Sequence, residues 1–145
     1  MTVPLLVFSR AEETLESWDA LNQNKNQGAI APNVLNQWTH GDLMHIRMLA
    51  LSHIQFSSLY QRSERFRKEG LRFSPADYSL EDGNVSYNWV ARYTLEFLSA
   101  YLKHDSAAES FLKRTPMENE VPKHLMAIVF RPASGRPSGA GRIAH

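Results

Sequence analysis

The apolar pattern predicts strands in the first half of the chain and near its end. Val3 to Phe8 form an unbroken apolar run, typical of a parallel strand buried on both faces, in which Pro4 is tolerated only near the first residue. Leu43 to Leu51 alternates between two faces and is a second strand candidate. Met126 to Phe130 indicates a last strand or an extended segment.

The strongest helix signal lies between Ser86 and His104, where apolar side chains recur every three and four residues. Burying the larger of them would contribute on the order of 10 kcal/mol, at about 1.5–3 kcal/mol each, so this helix requires a partner surface. Shorter helices are predicted from Thr14 to Asn24, from Phe56 to Lys68 and from Ser106 to Arg114. Segments 22–33 and 71–83 are predicted to be loops.

These elements predict an α/β fold in one domain, residues 1–130, followed by a flexible Gly- and Pro-rich tail at residues 131–145. The expected sheet is open and mostly parallel, with two or three strands packed against the C-terminal helices. Strands that are buried on both faces require neighbouring strands and helices, and the chain has too few elements to supply them. We therefore expect part of a larger α/β fold with an open apolar sheet edge.

Composition narrows the class of protein. Of the 145 residues, 43% are hydrophobic and 21% are charged, the balance of an ordinary soluble globular protein. The net charge of +1 does not indicate nucleic acid or an anionic membrane as a partner. The absence of cysteine excludes thiol catalysis, disulfides and cysteine-ligated zinc. Since the start of the chain lacks a secretory signal, we expect a cytoplasmic protein unless a signal lies upstream of Met1.

Three titratable residues form the candidate site. Glu12 and Glu13 follow the first predicted strand, and His53 follows the second. Functional groups in open α/β sheets collect at the C-terminal ends of strands. An imidazole held by a carboxylate can accept a proton at neutral pH, as acyl transfer requires. The alternative is a surface or hydrogen-bonded structural histidine, which the spacing alone favours.

Three segments resemble the α/β-hydrolase family. The run VPLLVFSRAEE resembles the strand that precedes the catalytic acid, and MHIRMLALSHIQFSSL resembles the last sheet strand and the loop that carries the catalytic histidine. VARYTLEFLSAYLKHDSAAESFL, followed by RTPMENEVP, is similar to the C-terminal helix and its extension in bacterial dienelactone-hydrolase-like or acetyl-esterase-like members. The resemblance covers nearly the whole chain up to Pro132, and the last segment is its more specific part.

The resemblance implies roles for the same three residues. His53 would be the general base and Glu13 the acid that orients it, with Glu12 as the alternative acid. The implied reaction is hydrolysis of a small carboxylic ester or lactone by a serine, histidine and acid mechanism that uses no cofactor. The sequence departs from the family in having Glu where the acid is normally Asp, and in a long segment between Glu13 and His53.

The nucleophile of this family is missing from the sequence, since its G-x-S-x-G elbow has no match. The segment Gly135 to Gly139 reads G-x-x-S-G, and no strand precedes it to form the strained turn that exposes the serine. In the family's chain order the elbow precedes the acid, so we expect it upstream of Met1. The nucleophile and its oxyanion donors make the largest contributions to lowering the activation barrier for acyl transfer. We therefore expect no esterase activity from this chain alone.

Other patterns favour structural roles. His40, Asp42 and His45 carry metal-ligating atoms, but their spacing matches no known ligand pattern, and no metal site is predicted. The basic run from Arg62 to Arg72 is diluted by glutamates and is read as a solvated helix face rather than a nucleic-acid site. A competing hypothesis for the whole chain is a noncatalytic protein that self-associates or binds a partner through its sheet edge and its long helix, with Trp89 as a candidate contact.

Overall fold

The computed structural model describes residues 3–11, 13–15, 34–57, 60, 62–70 and 77–134. In chain order, the elements within these residues are strand β1 (Leu5–Arg10), helix α1 (Val34–Gln37), strand β2 (Leu43–Met48), a 3₁₀ helix (His53–Phe56), helix α2 (Glu64–Gly70), helix α3 (Leu80–Lys103), helix α4 (Ser106–Lys113) and strand β3 (Met126–Arg131). No helix within these residues is long and apolar enough to cross a membrane.

The strands of the described residues form one mixed sheet in the order β1-β2-β3. β1 pairs with β2 in parallel, with Leu5 opposite Leu43, whereas β2 pairs with β3 in antiparallel, with Met48 opposite Met126. The predicted α/β class is confirmed. The expectation of a mostly parallel sheet was wrong, since one of the two strand pairings is antiparallel. The sequence could not show this, because an apolar run reports burial but not strand direction.

β2 is the buried centre of the sheet, and all of its residues except Arg47 are buried. Met44, Ile46 and Met48 share one face and belong to the main hydrophobic cluster, which includes Tyr93 of α3. The prediction of burial on both faces is therefore confirmed for β2. In β1, by contrast, Ser9 is the only fully buried residue, since an edge strand has a neighbour on one side only.

Helix α3 begins earlier than predicted because of its N-terminal cap. The hydroxyl of Ser79 accepts a hydrogen bond from the Asp82 N–H (3.1 Å), and the Asp82 carboxylate accepts one from the Ser79 N–H (2.9 Å). This reciprocal capping box satisfies two backbone donors at the helix start. Asp82 and Gly83 lie in the segment that was predicted to be a loop, but the cap places both in the first turn of α3.

The chain turns sharply between α3 and α4. His104 takes the left-handed conformation, with φ of 54°, and ends α3. The carboxylate of Asp105 then accepts hydrogen bonds from the N–H groups of Ala107 and Ala108 and caps α4. The helix predicted from Ser106 to Arg114 is thus confirmed, and α4 packs back on α3.

The remaining predicted elements were reproduced in part. The segment from Phe56 to Lys68 does not form one helix, because Phe56 ends the 3₁₀ helix and α2 begins only at Glu64. The predicted last strand is confirmed as β3, which reaches Arg131, the first residue of the predicted tail. Residues 16–24 of the first predicted helix, loop residues 22–33 and 71–76, and tail residues 135–145 lie outside the described residues.

Candidate functional site

Glu13 lies in a turn that directly follows β1. The Glu13 N–H donates to the Arg10 carbonyl (3.1 Å), which closes the turn. One oxygen of the Glu13 carboxylate accepts from the backbone N–H of Arg10 (3.0 Å), and the other accepts from Nε (3.1 Å) and a terminal nitrogen (2.9 Å) of the Arg10 guanidinium. The carboxylate is therefore held in one orientation by its neighbour in the same turn.

The electrostatics of the turn keep Glu13 ionised. Partial burial acts to raise the pKa of the Glu13 carboxyl, but the hydrogen bonds from the Arg10 side chain and backbone, with the charges of Arg10 and His53, bring that pKa below its ordinary value of 4.5. Hydrogen bonds and positive charges favour the ionised form of a carboxyl group. Glu13 is thus a carboxylate at neutral pH.

His53 is exposed and is the first residue of the 3₁₀ helix, a few residues beyond β2. The Ser52 N–H donates to the side-chain oxygen of Gln55 (2.6 Å), and the fully buried Gln55 donates to the Tyr60 hydroxyl (3.3 Å). Leu49 is tied to the start of β3 by a hydrogen bond from its N–H to the Leu125 carbonyl (2.9 Å). A packed segment therefore presents the exposed imidazole.

The structure brings Glu13 and His53 to the same end of the sheet. Both follow the C-terminal ends of parallel neighbouring strands, and the His53 charge acts on the Glu13 carboxyl. No hydrogen bond joins these two described side chains, since the carboxylate bonds Arg10 instead. Their pairing as base and acid stays a prediction. Glu12, the alternative acid, lies outside the described residues.

A serine and histidine pair that the sequence analysis did not identify lies inside the sheet. Ser9 Oγ and His45 Nε2 are 2.6 Å apart, and both residues are buried. They meet because Val7 lies opposite His45, which places Ser9 diagonally beside His45 on the same sheet face. The alternation around His45 was visible in the sequence, but the register that brings Ser9 beside it was not.

This buried pair has the hydrogen-bonding distance of a nucleophile and its base but lacks the access that a substrate needs. Ser9 is 3% exposed and His45 1%, so a substrate carbonyl cannot reach the hydroxyl. The Ser9 hydroxyl also lies 3.0 Å from the Glu13 carbonyl, an acceptor that requires a donor. The pair is therefore a structural link between β1, the Glu13 turn and β2.

Two of the three residues considered for metal binding, Asp42 and His45, have other partners. The Asp42 carboxylate accepts from the Ala133 N–H (3.0 Å) and from the Tyr101 hydroxyl (3.3 Å), so it pins the start of β2 to α3 and to the residues after β3. His45 contacts Ser9, and His40 is exposed. Among the described residues, no group of three or more His, Cys, Asp or Glu side chains could hold a metal ion.

The remaining sequence features lie on the helices. Lys68 and Glu64 form an exposed ion pair on α2 (2.8 Å), within the basic run. Trp89, the candidate partner contact, lines an open cavity of about 320 Å³ with Arg92 and Phe111. The Arg92 guanidinium lies 5.4 Å from the centre of the Phe111 ring. On the outer face of α3, Leu95, Leu98 and Leu102 are exposed. Self-association through this helix or a sheet edge stays a prediction.

Comparison of the chain with protein-family models, with curated proteins and with solved structures finds no match.

Proposed function

We propose that this chain supplies the general base and the orienting acid of a serine hydrolase that acts on small carboxylic esters or lactones. His53 is the base and Glu13 the acid. The observation that carries the proposal is the parallel pairing of β1 with β2, which places the segments after both strands at one end of the sheet. That end is where open α/β sheets hold their functional groups.

The two side chains have the properties that these roles require. His53 is exposed, so its imidazole is accessible to a substrate and to a serine hydroxyl. Glu13 is ionised at neutral pH because its pKa is lowered. A carboxylate beside the imidazole stabilises the positive charge that develops when the histidine takes a proton from the nucleophile.

The contacts with Arg10 leave room for this pairing. A carboxylate oxygen can accept about two hydrogen bonds, and one Glu13 oxygen accepts only the Arg10 backbone N–H among the contacts within its turn. The pairing requires a ring N–H of His53 to come within hydrogen-bonding distance of that oxygen, and catalytic hydrogen bonds often tighten only when substrate binds. Arg10 then keeps the acid in place while His53 moves to it.

Ester hydrolysis tests the proposal. Expression from the native chromosomal locus retains any coding sequence contiguous with the chain, including a serine elbow. We expect hydrolysis of p-nitrophenyl acetate and labelling of a serine by a fluorophosphonate probe. His53→Ala should lower kcat by about 10²- to 10⁴-fold, the usual contribution of a general base. Glu13→Gln should lower kcat by a smaller factor, because the base remains without its orienting charge.

The control is His40→Ala, which removes an exposed imidazole from the loop before β2 and should leave turnover unchanged. Equal turnover of the wild-type protein and His53→Ala, or no hydrolysis and no labelled serine, would contradict the proposal.

A titration of the Glu13 carboxyl by NMR adds a test on the chain itself. His53→Ala should raise the Glu13 pKa by removing a positive charge, and His40→Ala should not.

A further inference from the structure

We infer that Ser9 and His45 are positioning residues for Glu13, the acid of the proposed hydrolase site, and the inference rests on that proposed function. Both side chains are buried, so neither is accessible to a substrate. They act through the backbone of the turn that carries Glu13. The chain of contacts runs from His45 to Ser9 and from Ser9 to the Glu13 carbonyl.

The direction of these hydrogen bonds follows from the groups involved. The Ser9 hydroxyl has one hydrogen to donate, and the Glu13 carbonyl at 3.0 Å can only accept. Both contacts are satisfied when the hydroxyl donates to that carbonyl and accepts from His45 Nε2–H at 2.6 Å. The imidazole thus orients the hydroxyl, and the hydroxyl fixes the peptide of Glu13.

A second side chain of β2 holds the same turn. A terminal nitrogen of Arg47 donates to the Ala11 carbonyl (2.9 Å). His45 and Arg47 lie on the same face of β2, two residues apart, and Ser9 lies opposite Arg47. The Glu13 turn is therefore fastened to β2 directly by Arg47 and indirectly by His45 through Ser9 of β1.

Fixing the turn determines where the carboxylate can lie. The Glu13 carboxylate accepts from the Arg10 backbone N–H only while the turn keeps that N–H and the Glu13 side chain together. If the turn loosens, these hydrogen bonds lengthen and the carboxyl loses stabilisation of its ionised form. The Glu13 pKa thus reports on the position of the acid independently of catalysis.

The test compares Ser9→Ala with Ser86→Ala. Ser86 is fully buried and its hydroxyl has no hydrogen-bond partner among the described residues, so Ser86→Ala makes the same chemical change away from the turn. In NMR titrations of the chain, Ser9→Ala should raise the Glu13 pKa toward 4.5, and Ser86→Ala should leave it unchanged. In the ester assay, Ser9→Ala should lower kcat by about 10- to 100-fold with KM unchanged, the cost of a misplaced group.

His45→Leu provides a second variant, because leucine suits the buried interior of β2 and removes the donor to Ser9. It should shift the Glu13 pKa in the same direction as Ser9→Ala by a smaller amount, and it carries the test if Ser9→Ala does not fold. An unchanged Glu13 pKa in the folded variants overturns the inference. A different result is expected if the proposed function is wrong and the inference is right. In that case His53→Ala leaves turnover unchanged, but Ser9→Ala still shifts the Glu13 pKa.

Discussion

Gly41 provides the sharpest test of how the parallel pair begins. It lies two residues before β2, where its backbone meets that of Val3 just before β1. A β-carbon added at Gly41 would lie 1.7 Å from the Val3 carbonyl oxygen and 2.5 Å from the Val3 carbonyl carbon. Since backbone atoms cannot move aside as a side chain can, Gly41→Ala must push the two segments apart.

The cost of that separation follows from the contacts at the same place. The Val3 carbonyl accepts from the Trp38 indole N–H (3.1 Å), and the Leu5 N–H donates to the Asp42 carbonyl (2.8 Å). Losing two hydrogen bonds costs about 0.5–1.5 kcal/mol each, and overpacking adds about 1–3 kcal/mol. We therefore expect Gly41→Ala to lower the free energy of unfolding by about 2–6 kcal/mol.

Gly83→Ala is the matched control, since it makes the same change inside α3. There the added carbon would lie 3.1 Å from the side-chain nitrogen of Gln55 and 4.0 Å from the Ala50 carbonyl oxygen. The end of a side chain can yield by a few tenths of an ångström, and alanine is favoured over glycine in a helix by about 1 kcal/mol. The free energy of unfolding should therefore stay within about 1 kcal/mol of the wild-type value.

Urea unfolding followed by circular dichroism and by tryptophan fluorescence measures both variants. The expected result is a large decrease in the midpoint for Gly41→Ala and a small change for Gly83→Ala, with similar slopes. Equal stability of Gly41→Ala and the wild-type protein would refute the close approach of Val3 and Gly41. The placement of β1 beside β2 at that end would then be wrong.

Two further predictions concern side chains that hold the core and the candidate site. The side-chain nitrogen of Asn119 donates to the Tyr93 hydroxyl (3.1 Å) and to the Phe111 carbonyl (3.0 Å), and Asn119→Ala removes both hydrogen bonds. In thermal melts this variant should lower the free energy of unfolding by about 1–3 kcal/mol. The decrease should be larger than that of Tyr93→Phe, which leaves the bond to the Phe111 carbonyl intact. Arg10→Met should destabilise the protein at neutral pH by removing the side-chain donors to Glu13. Because the folded pKa of Glu13 is lowered from 4.5, its contribution is present above that value and is lost as the pH falls through the folded pKa. The stability difference between Arg10→Met and the wild-type protein should therefore shrink in acid unfolding, and a constant difference would contradict this assignment.

Much of the secondary structure could be predicted because apolar periodicity reports burial. The apolar pattern located β1, β2 and α3, but it reported burial fully only for β2. The apolar side chains of β1 are half-buried, and Leu98 and Leu102 of the α3 repeat are exposed. The start of α3 was predicted too late because segment 71–83 was read as a loop, whereas the capping pattern of the helix begins at Ser79. The antiparallel direction of β3 was not predictable, since the same apolar alternation suits either direction.

The candidate site was predictable only to the level of the sheet end. From the sequence, β1 and β2 were expected to be parallel, and their parallel pairing leaves Glu13 and His53 beyond strand ends on the same side of the sheet. The partner of each side chain depends on register and on turn geometry, which single residue types do not encode. The bond between Glu13 and Arg10 and the contact between Ser9 and His45 are both of this kind.

β3 lies far along the chain from β2, its neighbour in the sheet, and this separation has a consequence for biosynthesis. Met48 leaves the ribosome long before Met126, its partner across the sheet, so β2 is made with one side unpaired. The nascent chain must keep that side from pairing with other chains while α3 and α4 are translated, and closing such a distant contact is slow. Translation speed between these two strands, and chaperone binding during that interval, should therefore govern the yield of folded protein.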